Sequence, residues 1–200
     1  MLFAVKNRLV PTLLVLALLV AAAFWLRIRL GLTWSFAFQT AQWRDLFLAI
    51  LVMAASDGVV HGLLTLVFGE RYRVRYRALA EFFSPQHVPQ MIAGGLLAGG
   101  EELLFRGVML EALRTVAGLH AIAAVSITAL VFGLAHTILQ RLLWPFTFWA
   151  IWEGVLLGGV YVLSGSLAVV VVLHVLHDIV GFVIFAFQRR SSATISGSPG

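Results

Sequence analysis

The sequence predicts an all-α, polytopic transmembrane bundle of about six spans. Three observations predict it. Apolar residues make up 61% of the 200 and charged residues only 12%, against about 25% charged in a soluble domain; mean hydropathy is +0.98. The apolar residues fall in continuous runs that cross a bilayer as helices and lack the alternation of barrel strands. The basic residues gather at the ends of those runs, where membrane anchors belong. The net charge of +5 carries no nucleic-acid signal beyond an overall basic balance. There is no cysteine, which excludes disulfides, thiolate catalysis and cysteine-held metal.

The first apolar run covers residues 9–26, with Lys6 and Arg8 before it and Arg27 and Arg29 after it. Ala21-Ala22-Ala23 imitates a signal-peptidase site. The run exceeds the about 7–15 residues of a cleaved apolar region, so it reads as a retained span. Residues 31–44 carry Trp34, Phe36, Phe38 and Trp43 and read as an interfacial segment with aromatic anchors. The second span, residues 46–68, holds Ser56, Asp57 and His61. Asp57 and His61 stand four apart on one helix face. They read as an intramembrane hydrogen-bonded pair or as the lining of a polar cavity. Residues 70–83 follow, where Arg71, Arg73, Arg75 and Arg77 alternate with Tyr72, Val74 and Tyr76. This is a cytoplasmic amphipathic connector lying on anionic lipid. Ser84-Pro85-Gln86-His87 ends it, and Pro89 sits near the start of the next helix.

The third span, residues 88–113, is the unusual one. Glu101, Glu102 and Arg106 interrupt an apolar run that Gly94, Gly95, Gly99 and Gly100 fit for close helix approach. Each charge at mid-bilayer costs at least about 2.5 kcal/mol on insertion scales. Glu102 and Arg106 are four apart and can pair, whereas Glu101 lies about 100° round the helix and stacks with Phe105. One acid is therefore expected to serve the fold and the other the chemistry. The fourth span, residues 121–143, carries Phe132 and His136. The fifth, 146–163, carries Glu153, Gly154, Gly158 and Gly159. Ser164-Gly165-Ser166 turns the chain, and the sixth, 167–187, carries His174, His177 and Asp178 before Gln188-Arg189-Arg190 stops it. Residues 191–200 are small and polar and read as a disordered tail. The chain thus divides into 1–87 (two spans and the basic connector), 88–190 (a helical core) and the 191–200 tail, with no internal repeat.

Six spans put Lys6, Arg8, Arg71, Arg73, Arg75, Arg77, Arg141, Arg189 and Arg190 on one side. Arg27, Arg29, Arg44 and Arg114 fall on the other. The excess places both termini in the cytoplasm, in a bacterial inner membrane.

Glu101, His136, His174 and Asp178 lie on three different spans. His174 and Asp178 are four apart and face the same way. Such a set can hold a divalent metal, typically zinc, with Glu101, His136 and His174 as the available ligands and an open position for water. Alternatively Glu101 acts as general base on water directly, with the histidines as acid and oxyanion donors. One tension is geometric. His136 stands about 10 Å from the cytoplasmic boundary at 1.5 Å per residue, and Glu101 near mid-depth, so the helices must tilt or the fourth span must end earlier.

The order Glu101-Glu102-x-x-x-Arg106, Phe132-x-x-x-His136, His174-x-x-x-Asp178 resembles the three-motif signature of CPBP intramembrane proteases. This family is also called Abi or type II CAAX prenyl endopeptidase-like. Gly154-x-x-x-Gly158 and Ser164-Gly165-Ser166-Leu167 fit the approach to the third motif, and the resemblance covers about residues 94–187. It implies intramembrane hydrolysis of a peptide bond in a membrane-associated protein or peptide, including a prenylated C-terminus. It also implies that Glu101 and His136 activate water, that His174 and its partner support the oxyanion, and it leaves zinc open. Three departures stand out: Asp178 where many members have Asn, the extra acid Glu153, and the spare His177. The competing expectations are a transporter or proton relay built on the same buried groups, and a non-catalytic scaffold. A transporter of this kind carries repeat symmetry or paired broken helices, which the sequence lacks; the scaffold leaves three complete motifs without a task.

Overall fold

The structure, a computed structural model, describes residues 9–83, 88–138 and 144–196. Lys6, Arg8, Arg141 and Ser84-Pro85-Gln86-His87 lie outside the described residues. Among the described residues, seven helices follow in order: α1 (Leu9–Leu30), α2 (Thr40–Phe68), α3 (Glu70–Phe83), α4 (Val88–Leu104), α5 (Ala121–Ile138), α6 (Trp144–Ser164) and α7 (Leu167–Ser196). Beyond Leu104, α4 does not stop but winds as π-helical turns over Phe105–Leu110 and Ala112–Val116. No strand occurs among the described residues. The all-α membrane bundle expected from hydropathy is the architecture found.

Among the described residues, four helices are long and apolar enough to cross a membrane: α1, α2, α6 and α7. The six expected spans differ from this for physical reasons. The third span is split between an α-helix and π-helical turns around its charges, and Ala121–His136 is apolar but short. α1 is a peripheral span: Ala23 is its buried residue, and Leu14, Leu18 and Ile28 face outward, as lipid contact requires.

Two boundaries moved. α2 begins at Thr40, six residues before the expected Leu46, because Gln42 caps it. Its Oε1 accepts the Gln39 N–H at 2.6 Å while its own N–H donates to the Gln39 carbonyl at 2.9 Å. α7 runs on to Ser196, past the expected stop at Gln188-Arg189-Arg190, and residues 197–200 lie outside the described residues.

Glycines let the helices close on one another. A Cβ at Gly154 on α6 would stand 2.9 Å from Ala129 Cα on α5, and one at Gly95 on α4 would stand 2.8 Å from Ile179 Cγ1 on α7. The main core joins Leu46, Ala49 and Met53 of α2 to Leu157 and Tyr161 of α6 and to Val169, Val170 and Leu173 of α7. The aromatic stretch before α2 is tied to one end of this bundle. Leu167 N–H donates to Ser35 O at 2.8 Å, Ser166 Oγ to Ala37 O at 2.6 Å, and Gln42 Nε2 to Ser164 O at 3.1 Å. Trp34 Nε1 donates to Gly107 O at 2.8 Å. The 31–39 connection and the α6–α7 turn therefore share one end, as an alternating six-span course requires. The basic helix α3 is held from inside by Tyr72, which is buried. Its hydroxyl accepts from Trp149 Nε1 at 3.2 Å and meets His61 Nδ1 at 3.0 Å.

Candidate active site

Glu101 and Glu102 are neighbours in sequence with different surroundings. Glu102 and Arg106 are both fully buried, and Arg106 Nη1 donates to Glu102 Oε1 at 2.6 Å. Arg106 Nη2 donates to the Gly154 carbonyl at 3.1 Å, and its guanidinium lies 4.8 Å from the centroid of the Phe132 ring. Glu102 Oε1 also meets His174 Nδ1 at 2.7 Å. The buried pair thus ties its helix to α7 through Glu102 and to α6 through Arg106. Glu102 Oε2 and Arg106 Nε, also buried, have no hydrogen-bond partner among the described residues, so the bonds that are made must carry the cost of burying the pair.

Glu101 takes no part in that knot. Its side chain is 18% exposed and that of His136 24%, and Glu101 Oε2 stands 3.9 Å from His136 Nε2. His136 Nδ1 lies 2.7 Å from the Phe132 carbonyl. A carbonyl only accepts, so Nδ1 carries the proton and, in the neutral ring, Nε2 turns a lone pair toward Glu101. The tension over depth resolves here: His136 comes within 3.9 Å of Glu101, while residues 139–143, where the fourth span was expected to end, lie outside the described residues.

The other expected groups arrange themselves around His174. With Nδ1 on Glu102, Nε2 is the nitrogen left to face Glu153 Oε1 at 3.4 Å and Asp178 Oδ1 at 3.8 Å. Next to it lies a cluster that local spacing did not join. His177 Nε2 bonds Asp57 Oδ2 at 2.7 Å, and His177 Nδ1 stands 3.0 Å from Glu153 Oε1 and 3.5 Å from Asp178 Oδ1. The expected Asp57–His61 pair is corrected by these contacts: Asp57 turns to α7 and His61 to Tyr72 on α3. Although they share a face of α2, they lie a turn apart in height and meet different neighbours.

The expected zinc ligands Glu101, His136 and His174 do not gather. Both nitrogens of His174 point toward other carboxylates, and the Glu101–His136 gap exceeds the edge of a zinc tetrahedron, about 3.4 Å for bonds near 2.1 Å. Among the described residues, the side chains that could jointly hold a metal are Glu153, His177 and Asp178. A cavity of about 320 Å³ lies elsewhere, between Trp34, Glu111, Arg114 and Tyr161, and none of the groups above lines it.

The helical bundle thus places a half-open carboxylate–histidine pair beside a buried, hydrogen-bonded second acid. Comparison with protein families sharpens this. The model of the type II CAAX prenyl endopeptidase Rce1-like family matches residues 83–180, and over that stretch the chain is similar to that family. This likeness and the four long apolar helices mark a membrane protein. No curated protein and no solved structure matches the chain.

Proposed function

We propose that the chain hydrolyses a peptide bond in a membrane-associated protein or peptide, a lipidated C-terminus among the candidates, using a water held between Glu101 and His136. The observation that carries this is the 3.9 Å between Glu101 Oε2 and His136 Nε2. The distance is too long for a direct hydrogen bond and suits a single bridging water. Both atoms are acceptors in the form described above, and water has two protons to give, one to each. Glu101 takes a proton as the water oxygen attacks the carbonyl carbon, and returns it to the leaving amine nitrogen. His174, held by Glu102 and oriented by Asp178 one turn on, stabilises the developing oxyanion when Nε2 carries a proton. Glu102 and Arg106 fix the helix on which Glu101 stands.

The test is a census of C-termini in membrane proteins from cells that carry the wild type, Glu101→Gln, or no copy. A set of shortened C-termini that appears with the wild type alone supports hydrolysis. Identical termini in all three refute it.

A further inference from the structure

We propose that Glu153, His177 and Asp178 form a binding site for one first-row divalent cation of the zinc kind, beside the Glu101–His136 pair and distinct from it. His177 Nδ1 lies 3.0 Å from Glu153 Oε1 and 3.5 Å from Asp178 Oδ1, and one ligand atom from each of the three side chains falls within 4.8 Å of the others. Atoms bound at about 2.0–2.2 Å to a common zinc stand about 3–3.5 Å from one another, and the two separations from His177 Nδ1 are of that size.

What the atoms leave undone points the same way. Glu153 Oε1 and His177 Nδ1 are both shut off from solvent, and neither has a hydrogen-bond partner among the described residues, although they stand 3.0 Å apart. Two unpaired buried polar atoms are costly unless something binds both.

The opposite nitrogen completes the arrangement. His177 Nε2 donates to Asp57 Oδ2 at 2.7 Å, which fixes the ring and leaves Nδ1 its lone pair. A carboxylate behind a ligating histidine is the common outer support of a metal site. Charge favours occupancy as well. Asp57, Glu101, Glu102, Glu153 and Asp178 are five acids gathered around one arginine, Arg106, and the histidines 136, 174 and 177. A divalent cation offsets part of that excess. One imidazole nitrogen with two carboxylate oxygens suits zinc, manganese or iron(II) and not a soft ion. Three protein ligands leave a fourth position open. Glu153 and His177 both lie outside the three-motif pattern, so the site is a feature of this chain's departures from it.

The experiment is metal counting on the purified full chain in detergent. The protein is stripped with chelator, reloaded separately with zinc, manganese or iron(II), dialysed, and measured for metal per chain by mass spectrometry, with size exclusion as the check on folding. The wild type should retain about one ion. His177→Ala and Glu153→Gln should lose it, and Asp57→Asn should weaken zinc binding about 10–100-fold. Glu101→Gln and His136→Ala should keep it. If His177→Ala does not fold, Glu153→Gln and Asp57→Asn decide the matter. Metal lost from Glu101→Gln or His136→Ala but kept by Glu153→Gln overturns the proposal, as does a reloaded wild type that holds none of the three. Metal content is read without turnover. A wild type that binds and never cleaves refutes the proposed function alone, and one that cleaves without binding refutes this site alone.

Discussion

Arg106→Ala and Glu101→Gln, five positions apart on one helix, should fail in opposite ways. Arg106 is fully buried and loses three things on truncation: the 2.6 Å bond to Glu102, the 3.1 Å bond to the Gly154 carbonyl, and its seat 4.8 Å over Phe132. Breaking a buried pair by removing one partner costs about 3–5 kcal/mol, and the ring contact adds about 0.5–2 kcal/mol. Set against a total stability of about 5–15 kcal/mol, the loss should lower folded protein severely. Glu101 is part-exposed and stands 3.9 Å from the neutral His136 ring, too far for a direct hydrogen bond, so its carboxylate holds no buried partner in place. Glu101→Gln keeps the shape, so abundance and melting temperature should stay near wild type. Cleavage should fall about 10²-fold or more with the general base gone. The assay measures abundance in membranes, melting in detergent and peptide cleavage for both variants side by side. Glu101→Gln that cleaves at the wild-type rate refutes the assignment. So does a Glu102→Gln protein that is well folded and dead while Glu101→Gln stays active, since the two acids would then have exchanged roles.

Two further expectations rest on the fold. Gly154→Leu should lower the melting temperature, because a Cβ there would meet Ala129 Cα at 2.9 Å and overpacking costs about 1–3 kcal/mol; an unchanged melting curve refutes the close α5–α6 approach. Reporter fusions at Gly200 should give a cytoplasmic signal and those at Gly118 a periplasmic one, and a periplasmic signal at Gly200 sinks the six-span course.

What the sequence made legible was what lies within one helix. Hydropathy locates the long runs, and four-residue spacing pairs Glu102 with Arg106, because both neighbours ride the same backbone. The same rule misjudged Asp57. From sequence its visible neighbour is His61, whereas its partner His177 is 120 residues away on another helix. Likewise Glu153 and His177 stood out as extra groups, but their meeting depends on how α6 and α7 close. The π-helical turns after Leu104 left no trace in the apolar pattern. The early start of α2 could have been found, since Gln39 and Gln42 have the spacing of a capping box.

The buried knot also explains why activity alone cannot tell the two adjacent acids apart. Glu102 Oε1 holds Arg106 from its own helix and His174 from α7 at once. Motifs one and three are therefore one hydrogen-bonded unit, while motif two meets it through the Phe132 ring under Arg106 and places His136 3.9 Å from Glu101. Removing the Glu102 carboxylate frees His174 to turn as well as leaving Arg106 uncompensated. A dead Glu102 variant is then expected on structural grounds, with no proton passing through that residue. Removing the Glu101 carboxylate disturbs neither bond. Only folded amount and melting separate a lost scaffold from a lost base, and that contrast follows from a 100° difference in direction between two successive residues on a helix.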